Sequence, residues 1–143
     1  MSDPIEPISC RCFADAAALA LGLHDQFGRY QAALLLDADG TCVDIHIFTN
    51  DDHRISHASC VAMALVSWLP QIARVVLFSE VDAVGELGEH DVRLWQQLFA
   101  GFDEHGVTLL DWVHTDAERV RSLTISCDAE PVWRRVACDV DEL

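Results

Sequence analysis

The chain has 143 residues, about half of them apolar, and a formal net charge of −15 at pH 7. This length fits one domain with a sizeable core, and the apolar share excludes wholesale disorder. All nine basic residues are Arg and none is Lys, so lysine Schiff-base and Walker-type chemistry is excluded, and the acidic balance repels phosphate backbones.

Residues 1–9, with two prolines, read as a flexible leader, and residues 10–143 as a single domain. Phe13 to Phe27 is rich in Ala and Leu and predicts a helix that ends at Gly28. Gln31 to Asp37 predicts an apolar strand, Asp37 to Gly40 a turn, and Thr41 to Thr49 the hairpin partner. Asn50 to His53 is a polar loop. Ser56 is placed to cap a helix that runs to Leu69 and is stopped by Pro70. Arg74 to Phe78 predicts a buried strand, with residues 79–88 as the loop after it. Val92 to Glu104 has Leu94, Trp95, Leu98 and Phe102 on one helical face and closes at Gly106. Val107 to His114 predicts a strand, Thr115 to Glu118 a turn, Arg119 to Ser126 a strand and Pro131 to Cys138 a short terminal element. The order helix, hairpin, helix, strand, helix, hairpin suits an α/β sandwich with a mixed sheet and flanking helices.

The longest apolar run, Val61 to Leu69, is too short to span a bilayer. The N-terminus lacks the basic start and apolar stretch of a signal peptide, so a soluble cytoplasmic protein is expected. The cysteines at 10, 12, 42, 60, 127 and 138 are then expected as reduced thiols. Cys10 and Cys12 form a CxC, and no second close pair completes a zinc set.

Several strings, in order, resemble the JAB/MPN domain family, particularly its bacterial RadC-like branch. They are the strand and turn Leu34-Leu35-Leu36-Asp37-Ala38-Asp39-Gly40, the helical Val61-Ala62-Met63-Ala64-Leu65, the triplet Leu109-Leu110-Asp111, and Ser122-Leu123. The similarity covers residues 30–126 and implies a JAB/MPN-like fold with cytidine-deaminase-like layering. The family's metal motif is His-x-His-Pro followed by Ser-x-x-Asp. With Asp91 set at that Asp without a gap, Phe78 falls at the first His, Glu80 at the second and Gly88 at the Ser; Trp112 stands where the RadC-like branch commonly has His. Catalytic zinc takes three protein ligands and keeps one position for water. Phe78 supplies no donor atom and Gly88 has no side chain. The resemblance therefore implies an enzyme fold without the hydrolase: a vestigial pocket at Phe78, Glu80, Gly88 and Asp91, with no catalytic residue, metal or cofactor.

Two other constellations carry donor atoms. Glu80 and Asp91 could face each other as a carboxylate pair for a hard cation or for acid–base work, although acidic residues at a helix start are also simply favoured by its dipole. Asp44 and His46 share a strand face, with His53 and His57 close in sequence. No nucleophile elbow and no Gly-rich phosphate loop is present.

The leading expectation is a non-catalytic module that binds another macromolecule, with a protein as partner and Phe99 and Trp133 as candidate contact residues. Phe99 lies about 100° from Leu98 on the helix, and Trp133 stands beside Arg134 and Arg135. The alternatives are a metal-dependent hydrolase with relocated ligands and an acidic nucleic-acid mimic that occupies a basic partner.

Overall fold

In the computed structural model, the described residues are 10, 13–48, 55–81, 88–116 and 118–122. They form a mixed α/β fold with helices α1 (Phe13–Phe27), α2 (Ile55–Trp68) and α3 (Glu89–Glu104). The strands are β1 (Gln31–Leu36), β2 (Cys42–Phe48), β3 (Arg74–Glu80), β4 (Thr108–Thr115) and β5 (Val120–Ser122). They make one five-stranded sheet in the order β2-β1-β3-β4-β5. Only β3 and β4 run parallel, joined through α3; the other neighbours are antiparallel.

Both sheet faces are covered. On one face α1 buries Ala16, Ala20 and Leu23, spaced by four and three residues, against Ala32, Leu34, Leu36, Val76, Phe78, Leu110 and Val113. The two alanines have only a methyl group to place between helix and sheet, which permits close approach. On the other face α2 contributes Ala62 and Val66, and α3 contributes Trp95, Leu98 and Phe102, against Ala33, Leu35, Val75, Leu77, Leu109 and Trp112. β3 is central and apolar on both sides, as expected for a strand with helices over each face.

The β1–β2 turn follows its sequence signal. Asp37 Oδ1 accepts hydrogen bonds from the backbone N–H of Asp39 (2.8 Å) and Thr41 (3.0 Å), and Gly40 takes φ 83° to close the loop. The Cys10 N–H donates to the Gly40 carbonyl (2.8 Å), tying the chain before α1 to this turn.

Several boundaries differ from the sequence reading; α2, for one, begins at Ile55, so Ser56 lies inside the helix rather than at its cap. β3 continues past Phe78 to Glu80, because the Glu80 N–H donates to the Tyr30 carbonyl and Glu80 pairs with Thr115. Ser79 and Glu80 are thus strand residues rather than loop residues. α3 starts at Glu89 rather than Val92, since Glu89, His90 and Asp91 form a first turn whose dipole accommodates the carboxylates of Glu89 and Asp91. β4 extends to Thr115 for the same pairing reason. The expected element at Pro131 to Cys138 lies outside the described residues, as do residues 1–9. Among the described residues, no helix is long and apolar enough to cross a membrane.

Candidate functional site

Glu80 and Thr115 end the two parallel strands side by side, and α3 begins beyond the same edge. In open α/β sheets this carboxyl edge is where ligand sites collect. Here strand alternation divides the polar side chains into two groups, one on each face.

The α1 face holds Phe78, Glu80, Tyr30 and His24. Phe78 is fully buried among apolar neighbours. Glu80 reaches back across the edge of α1, where its Oε1 lies 2.8 Å from His24 Nδ1. Its second oxygen, Oε2, is enclosed without a protein partner. Burial raises the Glu80 pKa, while His24 and Arg29 oppose that shift and Asp116 adds to it. Tyr30 donates from its hydroxyl to the Ala20 carbonyl (3.1 Å), and burial pushes its pKa up to about 12.

The opposite face carries a polar row across neighbouring strands: Gln31, Ser79, His114 and Arg121 are successive register partners. Trp112 Nε1 donates to Ser79 Oγ (2.7 Å), and Ser79 Oγ donates to Gln31 Oε1 (2.6 Å). The hydroxyl proton is committed to an amide oxygen rather than to the neighbouring His114 imidazole, which is not how a serine nucleophile is activated. His114 is buried at 4% exposure, with the Trp112 ring edge-on at 4.6 Å. Burial lowers its pKa to about 4; Asp91, from the first turn of α3, works against that shift and Arg121 works with it. The imidazole is therefore neutral at pH 7. Arg121 Nη2 lies 3.4 Å from Nδ1, which makes Nδ1 the acceptor and puts the hydrogen on Nε2. That Nε2 is enclosed with no partner.

These positions show which sequence candidates meet. Phe78 and Glu80 share the α1 face, whereas Asp91 belongs to α3, which packs on the other face of the sheet, and its charge acts on His114. The carboxylate pair of Glu80 and Asp91 is thus not formed: Glu80 is engaged by His24. This corrects the expectation that the two face each other, and the reason is the extension of β3, which fixes Glu80 on an alternating strand face. Gly88 is the N-cap of α3, exposed, at φ −86° and ψ 160°, with no side-chain cap. Asp44 and His46 do meet, at 2.9 Å, on the partly exposed β2. His53 and the side chain of His57 lie outside the described residues. Among the described residues, no group of three His, Cys, Asp or Glu is placed to hold a metal ion.

Phe99 is half-buried, stacks on Trp95 at 5.5 Å between ring centroids and packs against both apolar clusters. Its anchoring role in the core leaves only part of the ring for a partner. Trp133 lies outside the described residues. Sequence reasoning passed over His24, Ser79 and His114, whose partners are 56, 33 or more residues away or on another strand. It also passed over Trp68, an indole that is 81% exposed at the end of α2. For Trp68 a signal existed: Ser59, Ala62 and Val66 mark the buried stripe, and Trp68 stands about 200° around the helix from Val66.

The chain matches no protein-family model and no curated protein.

Proposed function

We propose that the chain is a non-catalytic, JAB/MPN-like module that acts by binding another protein. The element order and the layering, one helix on one face of a mixed sheet and two on the other, support the JAB/MPN-like part, with its cytidine-deaminase-like arrangement. The observation that carries the non-catalytic part is the fate of the metal-motif positions. Phe78 is a core side chain, Glu80 is tied to His24, and Asp91 sits across the sheet from both. A metal ligand set must converge within about 2–2.5 Å of one ion, and these side chains diverge.

The alternative of a hydrolase with relocated ligands draws its best support from the Asp44–His46 pair. Among the described residues, no third protein ligand joins this pair to complete a catalytic zinc site. The acidic-mimic alternative rests on net charge alone.

The test is paired. Metal content of protein purified without added metal is determined by elemental analysis, and Asp91→Ala is compared with the wild type in partner binding and in metal-dependent hydrolysis. Unchanged binding by the variant is the expected result. Metal-dependent hydrolysis that the substitution abolishes would sink the reading.

A further inference from the structure

One end of the sheet gathers two helix C-termini and several carboxylates. Register places Leu36, Arg74 and Thr108 next to one another, so the β1–β2 turn and the starts of β3 and β4 lie at the same end. α2 and α3 both finish there, since residues 69–73 and 105–107 connect them to β3 and β4. Helix C-termini carry partial negative charge on their unpaired carbonyls. Neither helix has a basic residue in its last turn. Asp39, Asp103 and Glu104 are exposed at this end, and Asp37 is partly exposed. Among the described residues, the one arginine there is Arg74, half-buried, and His105 has its Nδ1 bonded to the Gly101 carbonyl (2.9 Å). Trp68 projects from the last residue of α2 in this setting, 81% exposed.

An exposed indole face attracts cations through its quadrupole, and arginine stacks on it in a plane while keeping its N–H groups free to bond carbonyls and carboxylates. We propose that this end docks an arginine side chain of a basic partner protein, with the guanidinium laid on Trp68 and its N–H groups directed to the α2 C-terminal carbonyls and the neighbouring carboxylates. The inference rests on the protein-binding reading and names the chemistry of the partner. Charge complementarity selects that partner: a chain of net charge −15 repels nucleic acid and anionic lipid and attracts a basic protein surface.

The probe is a fluorescent peptide of alternating Arg and Gly, with its Lys–Gly counterpart, measured by anisotropy against the full chain at low and moderate salt. The wild type is expected to bind the Arg peptide more tightly than the Lys peptide. Trp68→Ala should weaken the Arg peptide about fivefold and narrow the gap between peptides, with Trp68→Phe in between. Exposure makes Trp68→Ala safe for the fold, which circular dichroism checks. As a second variant, Asp103→Asn with Glu104→Gln should weaken both peptides. Equal binding by wild type and Trp68→Ala overturns the surface while leaving the protein-binding reading standing, because that reading fails separately on metal-dependent activity. No binding of either peptide to the wild type overturns it as well. Self-association that Trp68→Ala abolishes would assign this face to a second copy of the chain and overturn the basic partner.

Discussion

His114 links the stability of the fold to pH. The residue is 4% exposed and its pKa is lowered from the ordinary 6.5 to about 4, chiefly by burial. A lowered histidine pKa means that the unfolded chain binds the proton more readily than the folded one. Stability is therefore unaffected above the unfolded value and is lost as pH falls from about 6.5 towards 4. Lowering the pKa from 6.5 to about 4 corresponds to a full loss of about 3 kcal/mol. Between pH 7 and pH 5, above the isoelectric region, the loss is about 2 kcal/mol. The variant His114→Gln removes this titration and keeps an acceptor for Arg121. Urea unfolding of both proteins at several pH values isolates the effect, because the remaining histidines and carboxylates cancel in the difference. The wild type should lose about 2 kcal/mol relative to the variant over that interval. Parallel stability curves would refute the reasoning, since they would show that the folded protein protonates His114 as easily as the unfolded chain does.

Further outcomes follow from the same geometry. Phe78→His should cost about 3 kcal/mol in chemical denaturation, because it removes a buried ring and strands a polar group, and zinc should not restore the loss since Glu80 is held by His24. Gly88→Ser should stabilise by a few tenths of a kcal/mol in thermal unfolding, because Gly88 caps α3 at an ordinary φ and an added Cβ meets nothing within 4 Å; it should bring no hydrolytic activity. Glu80→Gln should keep the bond to His24 and be tolerated at pH 7. The folded state raises the Glu80 pKa, so this group's contribution improves as pH falls through that raised value, and the variant should flatten that part of the pH profile. In timed thiol titration of folded protein, Cys60, which is exposed, should react before buried Cys10, and before Cys42, whose pKa is raised by burial and by Asp44.

The secondary structure was legible where local rules govern it. α1 keeps the expected bounds Phe13–Phe27, with Gly28 at φ 72°. The Asp37–Gly40 turn forms on its own side-chain hydrogen bonds. The apolar face of α3 is the stripe of Trp95, Leu98 and Phe102 given by its spacing. The errors arose where a distant strand decides. Nothing in Phe78-Ser79-Glu80 signals that β3 continues, because the continuation depends on the Tyr30 carbonyl and on Thr115. Because β3 continues, alternation fixes Glu80 on the face of Phe78, away from Asp91.

The same cause explains the candidate site. Sequence spacing measures distance along one chain segment, and the spacing of Phe78 and Asp91 placed both at motif positions. It carries no information about which side of the sheet each reaches. The contacts that define the carboxyl edge, His24 with Glu80 and Trp112 with Ser79, bridge 56 and 33 positions. Both depend on the sheet order, which pairs β1 with β3 and β3 with β4. Trp68 is the converse case. Its exposure follows from helix periodicity alone, yet the cation surface proposed for it depends on the topology, which brings two helix C-termini and the β1–β2 turn to one end. The binding role proposed above would therefore use the exposed, acidic end of the sheet with its aromatic face, opposite the carboxyl edge where Glu80 and Ser79 are taken up by His24, Trp112 and Gln31.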